Sequence, residues 1–167
     1  MAKTIEAEPF DEKAWASYGW VPVRDTDSRD GLQRLHYEWD DVHLNVIGHS
    51  LEEVSRTDFG LRCDELFHHV THTQALMPIN CDCVVVVAPL ETVFESSADL
   101  EAVHAFLLHP LQPVVLHAGT WHWGPYPLDD TPVDLLNVQG LRYAEDNGRV
   151  DLAGLGLSVE VALRARP

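Results

Sequence analysis

The sequence predicts an all-β fold, a sandwich or a barrel, with one or two short helices. Short apolar or alternating segments recur along the chain, and ten prolines and ten glycines separate them. Helical patterns are few and weak. A length of 167 residues with 46% hydrophobic and 23% charged residues is typical of a folded globule. We therefore expect a single domain over residues 1–167.

Two segments carry helical signals. Residues 11–17 predict a short helix that is capped by Asp11 and ends before Gly19. Residues 97–103 predict either a helical turn or the lead into a strand at 103–108.

The remaining elements are predicted strands. Residues 42–47 alternate, with Val42, Leu44 and Val46 on one face. Two apolar runs follow on either side of a turn at residues 80–83, and shorter apolar or alternating runs continue to the end. These predicted strands are 74–79, 84–88, 114–117, 134–138 and 156–162.

Charge excludes two classes of partner. The formal net charge is −16 and the pI is near 4.7. Nucleic acids and anionic membranes both require clustered positive charge, so we expect neither as a partner. The longest apolar run, residues 83–89, is too short to span a bilayer, and the acidic beginning of the chain predicts no signal peptide.

Cysteine usage indicates a compartment. The three cysteines, Cys63, Cys81 and Cys83, are odd in number and lack metal-type CxxC spacing. A disulfide framework is therefore not expected, and the reducing cytoplasm fits best. We interpret all three as small apolar side chains.

Ten histidines stand out, and five of them fall in two short windows, 65–74 and 116–125. Imidazole is the commonest protein ligand for borderline metals, and a metal site needs ligands from more than one segment. Residues two apart on a strand share a face, so His117 and His122 share one only if a turn intervenes, for which Ala118-Gly119 is suited. The other five histidines are interpreted as surface or hydrogen-bonded side chains: His36, His43, His49, His104 and His109.

The spacing within the two windows resembles that of the cupins. His117-x-Gly119-x-x-His122 is similar to their second motif, in which a glycine turn delivers a metal-binding histidine into the barrel mouth. His69-x4-Gln74 is similar to the latter half of their first motif, with glutamine where most cupins have glutamate. The resemblance implies a cupin-type double-stranded β-helix and, as in many cupins, a homodimer.

The resemblance extends to one cupin family, the ureidoglycolate lyases of allantoin catabolism. Similar segments run in order over residues 8–140, and the most specific are the Gln74-Ala-Leu-Met-Pro78 strand and the Trp121-His122 string. The family usually reads Glu-Arg-His-Pro where this chain has Phe67-His68-His69-Val70. Phe67 thus replaces an acidic side chain with one that cannot bind metal or move a proton.

The family resemblance implies a metal-dependent enzyme that splits ureidoglycolate, a small carboxylic acid, into glyoxylate and urea. His69, Gln74 and His122 would bind a divalent ion (nickel, zinc, manganese or iron), with His68 or His72 completing the set or acting in catalysis. His117 would be the acid–base group, although it could also be a ligand or hold the turn.

Three further residues are candidates for substrate binding. Arg34 can bind a substrate carboxylate with both ends of its guanidinium, or it is a surface arginine. Trp121 and Trp123 can form walls of the pocket, or they are aromatic residues of a β core.

Three functions stay open at this point. The first is a ureidoglycolate lyase. The second is a metal-dependent lyase, isomerase or hydrolase of the same fold with another small-acid substrate, which the Phe67-His68 replacement favours. The third is a non-catalytic cupin that binds a small molecule or forms a structural dimer.

Overall fold

The computed structural model describes residues 1–163 and confirms the all-β class, with two curled sheets in a cupin-type arrangement. The last four residues of the predicted 1–167 domain lie outside the described part. The nine-stranded sheet has the order β13-β6-β11-β8-β9-β1-β14-β5-β4. Its strands are β1 Ala2–Pro9, β4 Ser55–Arg56, β5 Gly60–Cys63, β6 Glu65–His68, β8 Cys83–Ala88, β9 His104–Leu108, β11 Trp121–Pro127, β13 Gly148–Asp151 and β14 Ser158–Ala162.

The second sheet has five strands in the order β2-β10-β7-β12-β3. They are β2 Gly19–Trp20, β3 Val42–His49, β7 Gln74–Pro78, β10 Val114–Leu116 and β12 Val133–Gly140. All of its pairings are antiparallel. This sheet carries one wall of the cavity described below.

Within residues 1–163, helical structure is limited to three short segments. Helix α1, Glu12–Trp15, begins where the Asp11 side chain accepts a hydrogen bond from the Ala14 N–H, as its capping position predicts. One 3-10 helix spans Leu51–Glu53 and another spans Asp99–Ala102, which resolves the two alternatives for residues 97–103 in favour of a turn followed by β9.

Strand β8 lies at the centre of the packing because both of its faces are buried. Val84 and Val86 face a core that the nine-stranded sheet encloses as it curls, while Val85 and Val87 face a second core shared with the five-stranded sheet. A strand buried on both faces reads as a continuous apolar run, which is why residues 84–88 are easy to predict.

The nine-stranded sheet curls because the connection between β5 and β6 is a single residue. These strands belong to distant positions in the sheet order, yet only Asp64 joins them. Leu61 and Leu66 therefore meet in the same core. The curl leaves β6, β11 and β8 facing the five-stranded sheet.

One predicted face turns outward. Val42, Leu44 and Val46 on β3 are 52%, 63% and 57% exposed, and the alternate residues of β3 point inward. Alternation shows which residues share a face but does not show which face is buried. The other predicted strands occur within two residues of their predicted bounds. The strands that were not predicted have short or interrupted alternation: β1, β2, β4, β5, β6, β11 and β13.

The cysteines are free, with Cys63 and Cys83 buried and Cys81 half-buried. Within residues 1–163, no helix has the length and apolar character needed to cross a membrane.

Gly19 tests the close contact between β2 and β10 in the five-stranded sheet. A Cβ added at Gly19 would lie 1.7 Å from the Val115 carbonyl oxygen, a backbone atom that can move only with strand β10. We expect Gly19→Ala to lower the free energy of unfolding by about 3 kcal/mol, measured by urea denaturation.

Gly48→Ala on β3 is the matched control, because its added Cβ would meet only Asp134 Oδ1 at 3.6 Å. Its stability should equal or slightly exceed that of the parent, since glycine weakens a strand interior. Equal effects of the two substitutions would contradict this account of the β2–β10 contact.

Candidate functional site

A cavity of about 320 Å³ lies between the inner faces of the two sheets. Strands β3, β7 and β12 form one wall, and β11 with the end of β6 forms the other. The residues that line it are Asn45, Ile47, His49, Phe67, His69, Gln74, Leu76, His122, Trp123, Gly124, Tyr126, Leu135, Gln139, Tyr143 and Asn147. The three predicted metal ligands, His69, Gln74 and His122, are all among them.

His69 follows the last residue of β6 and is held by backbone contacts. Its Nδ1 lies 3.0 Å from the carbonyl oxygen of Asp146. A carbonyl only accepts hydrogen bonds, so Nδ1 carries the proton and Nε2 keeps a free lone pair. The His69 carbonyl in turn accepts a hydrogen bond from Gly119 N–H at 2.5 Å, which joins the two histidine windows.

His122 on β11 has the same tautomer for the same reason. Its Nδ1 lies 3.0 Å from the Thr120 carbonyl oxygen, so Nε2 is the free nitrogen. The His122 and His69 ring centroids are 5.4 Å apart. The turn expected at Ala118-Gly119 is present, with φ of +86° at Gly119, and it separates β10 from β11.

Burial keeps both imidazoles neutral. It lowers the pKa of His122 to about 4, with a further contribution from the neighbouring His69. Burial also lowers the pKa of His69. At neutral pH each ring therefore presents an unprotonated Nε2, the form that binds metal ions.

Gln74 supplies an amide oxygen. Its Nε2 donates to Asn137 Oδ1 at 2.9 Å and to Gln139 Oε1 at 3.2 Å, which uses both amide hydrogens. Asn137 then donates to Asn45 Oδ1 at 2.7 Å, and this fixes the direction of the amide chain. Gln74 Oε1 is left buried without a hydrogen-bond partner.

Two imidazole nitrogens and an amide oxygen together suit a borderline divalent metal ion. The Nε2 lone pairs of the two neutral imidazoles and the unsatisfied amide oxygen are acceptors, and a buried acceptor without a partner is costly unless a ligand satisfies it. Residues 1–163 contain no group of three or more His, Cys, Asp or Glu side chains placed to hold a metal. A metal ion bound to His69 and His122 would thus have the Gln74 amide oxygen as its third protein donor, where a carboxylate would be more usual.

The candidate catalytic histidines lie outside the cavity lining. His68 points to the other face of β6 and stacks on Trp121, with ring centroids 3.8 Å apart. His72 is buried behind His69, with centroids 4.8 Å apart, and its Nε2 has no hydrogen-bond partner. His117 is exposed just after β10, where its backbone N–H donates to Tyr18.

The candidate substrate-binding residues divide in the same way. Trp123 lines the cavity, whereas Trp121 packs beside Phe94 and donates its indole N–H to the Thr92 carbonyl. Arg34 is exposed, and its Nε donates to the Gly31 carbonyl. The roles predicted for Arg34, Trp121, His68, His72 and His117 remain predictions.

Sequence reasoning missed the polar residues of β3. Asn45 and His49 line the cavity together with Ile47, on the face opposite the exposed valines and leucine. His49 Nδ1 lies 2.8 Å from Glu53 Oε2. The alternation of β3 contains this signal, since it places residues 45, 47 and 49 on one face.

Asp146 organises the loop that carries His69, and no sequence motif marks it. Its carboxylate accepts hydrogen bonds from the N–H groups of Val70 and Thr71 at 3.1 and 2.7 Å and from Thr71 Oγ1 at 2.5 Å. Burial would raise the pKa of Asp146, but the hydrogen bonds from Thr71 and Val70 prevail and lower it. His72 Nδ1 lies 3.5 Å from the same carboxylate.

Comparison with known proteins points to one family. A family model described as "Ureidoglycolate lyase" matches residues 36–155, which include all the cavity-lining residues. Proteins named "Ureidoglycolate lyase" from Salmonella paratyphi B, Salmonella newport and Salmonella typhimurium are each 28% identical to this chain over 158 aligned residues. The alignments cover 88% of this chain and 92% of each relative.

The low pKa of His122 predicts how stability changes with pH in metal-free protein. Between pH 6.5 and 4 the unfolded chain binds a proton at residue 122 and the folded chain does not, so stability falls as pH falls. We expect this residue to account for a loss of roughly 2–3 kcal/mol over that range, measured by urea denaturation in the presence of a chelator.

His122→Gln should flatten this part of the pH profile, whatever its effect on stability at pH 7. His117→Gln is the control, since that imidazole is exposed and its removal should leave the slope unchanged. A slope that survives in His122→Gln would show that another group titrates.

Proposed function

The chain belongs to the ureidoglycolate lyase family, and from that premise we propose that it is a metal-dependent lyase that converts ureidoglycolate into glyoxylate and urea. The observation that supports the proposal most directly is that His69, Gln74 and His122, which come from separate segments, all line one cavity. These three residues would hold a divalent ion. When bound, the ion would bring the substrate's hydroxyl and carboxylate together and lower the pKa of the hydroxyl.

The reaction moves one proton from the substrate's hydroxyl to its departing nitrogen. The hydroxyl loses its proton, its oxygen forms the new carbonyl, the carbon–nitrogen bond breaks and the departing urea nitrogen gains a proton. No water is consumed. A single residue that accepts and then returns a proton can therefore serve both steps.

We assign this proton transfer to His49. It lines the cavity, and the Glu53 carboxylate accepts its Nδ1–H at 2.8 Å, which leaves Nε2 as the basic nitrogen. A carboxylate partner also stabilises the imidazolium that forms after proton uptake. His117, His68 and His72 do not line the cavity, so the proposal gives them no contact with substrate.

Amide side chains are suited to the ureido group. Asn45 Oδ1 already accepts from Asn137, so its own N–H group can donate to a substrate carbonyl. Asn147 lies at the loop side of the same cavity. Neutral amides bind a urea group without having to neutralise any charge.

A second candidate is the same type of reaction on another small acid. Phe67, Trp123 and Leu76 make part of the wall apolar, which suits a substrate with an apolar substituent. A panel of ureido acids with hydrogen, methyl and larger groups at the reacting carbon distinguishes the two by their relative kcat/KM.

We further propose that the protein is one cupin-like domain that works as a homodimer in the cytoplasm. Strand β1 pairs with both β9 and β14, which joins the beginning of the chain to its end and supports one domain. Three free cysteines are in keeping with a reducing compartment.

A second copy is the partner suited to the outer face of the five-stranded sheet. Leu44 and Val46 lie beside Val138 and Leu136 of β12, and Met77 of β7 continues the apolar face. None of these side chains is charged, so two chains of charge −16 can approach there with little repulsion. Strand β3 is also the edge of its sheet, and two such edges can pair about a twofold axis.

His69→Ala and His122→Ala test the activity. Each removes a proposed ligand, so bound metal should fall below a tenth of the parent's, and kcat/KM for ureidoglycolate should fall at least 1,000-fold. Metal is measured by elemental analysis of dialysed protein and activity by the appearance of glyoxylate. His36→Ala, an exposed histidine, is the control and should retain both.

Parent protein that produces glyoxylate from ureidoglycolate no faster than the uncatalysed background, with metal supplied, would refute the lyase proposal. Full activity in metal-free protein would refute its metal dependence.

Leu44→Glu tests the dimer. A carboxylate buried at the centre of an apolar interface should weaken dimerisation at least 100-fold, so the variant should be a monomer at micromolar concentration. Light scattering after size-exclusion chromatography gives the mass. Leu32→Glu, which changes a leucine that is 76% exposed in another region, should remain a dimer, and a monomeric parent would contradict the proposal.

A further inference from the structure

The cavity has no formal charge of its own. Among the lining residues of the described chain there is no lysine, arginine, aspartate or glutamate. A divalent ion held by two imidazoles and an amide would therefore keep its full double positive charge.

Phe67 occupies the position from which a charged ligand would reach the ion. It is the cross-strand partner of His122 in the pairing of β6 with β11. It also lies two residues before His69, and both side chains line the cavity. A carboxylate at residue 67 would lie beside both imidazoles, whereas the phenyl ring offers no donor.

The neighbouring carboxylates are already committed to other partners. Glu65 Oε2 accepts from Arg149 Nε at 2.6 Å, and Glu53 Oε2 accepts from His49 at 2.8 Å. Asp146 accepts hydrogen bonds from Val70 and Thr71. Within residues 1–163, these nearby carboxylates thus hold other partners, and none of them lines the cavity to serve as a ligand.

A double charge that no lining side chain neutralises is unfavourable beside the buried His69, Gln74 and His122, because burial removes part of the water that would otherwise solvate it. The compensating charge has to come from the ligand. An anion with two oxygen donors on adjacent carbons supplies the charge and fills two coordination positions that the three protein donors leave open.

We infer that Phe67 makes metal binding depend on the anionic substrate, so that a divalent ion and an α-hydroxy or α-oxo carboxylate bind with positive cooperativity. This inference rests on the proposed metal site, and it adds that the substrate's carboxylate is the missing acidic ligand. Because linkage is reciprocal, the ion must raise the affinity for the anion by the same factor.

The experiment measures Mn²⁺ binding to metal-free protein by equilibrium dialysis, alone and with saturating glycolate. Glycolamide is the matched control ligand, since it has the same hydroxyl and nearly the same shape but no charge. We expect glycolate to lower the Kd for Mn²⁺ at least tenfold and glycolamide to change it less than twofold. The affinity for glycolate should rise by the same factor when Mn²⁺ is present.

Phe67→Glu supplies the missing charge within the protein. We expect this variant to bind Mn²⁺ at least tenfold more tightly than the parent without any anion, and its glycolate effect to fall below threefold. Phe67→Gln is its isosteric neutral control and should retain the parent's dependence on glycolate. Circular dichroism establishes that each variant is folded, and the comparison of glycolate with glycolamide on the parent does not depend on either variant.

Tight Mn²⁺ binding that glycolate does not change would overturn this inference and leave the proposed metal site intact. An equal effect of glycolate and glycolamide would also overturn it, because charge would then play no part. Failure to bind Mn²⁺ under both conditions would overturn the inference together with the proposed metal site.

Discussion

The burial of strand β8 on both faces is the packing constraint on which the site depends. One face of β8 closes the core inside the curled nine-stranded sheet, and the other packs against the five-stranded sheet. Strand β11 pairs directly with β8, with His122 opposite Val87. A change in the register of that pairing by one residue would turn His122 away from the cavity. The pairing of the valine-rich strand β8 with β11 thus fixes the direction in which the His122 side chain points.

Two hydrogen bonds to backbone carbonyls then determine what the cavity can bind. The Nδ1–H groups of His69 and His122 both donate to main-chain oxygens, so both rings present a lone pair on Nε2. The amide chain from Gln74 through Asn137 to Asn45 orients a third acceptor in the same way. In the proposed function these three neutral acceptors hold a cation, and the inferred dependence on an anionic ligand follows from their neutrality. The groups that orient His69, His122 and Gln74 are therefore as important to the site as these three side chains themselves.

The sequence predicts those strands and the helix whose residues follow a regular local pattern. The helix capped by Asp11, the doubly buried β8 and the alternating β3 all follow from local pattern, and the spacing around His69, Gln74 and His122 brings three residues to one cavity. What local pattern does not contain is the orientation of each face in three dimensions. Val42, Leu44 and Val46 therefore face outward although they are apolar.

Long-range contacts are the other part that local pattern does not reveal. Asp146 lies more than 70 residues from the loop that it holds, and its partners are mainly backbone groups that any sequence would provide. His49 gains its place in the cavity from the pairing of β3 with β12. Conversely, His68 lies in the histidine window yet faces Trp121, because adjacent residues of a strand point to opposite faces.

The central claim, that three neutral side chains hold a divalent ion in this cavity, is tested most directly by anomalous diffraction. Crystals of the protein grown with Ni²⁺ and glycolate would be measured on both sides of the nickel absorption edge. The account predicts one strong anomalous peak within about 2.2 Å of His69 Nε2, His122 Nε2 and Gln74 Oε1. A cavity without an anomalous peak, or a peak that contacts other residues instead, would contradict it.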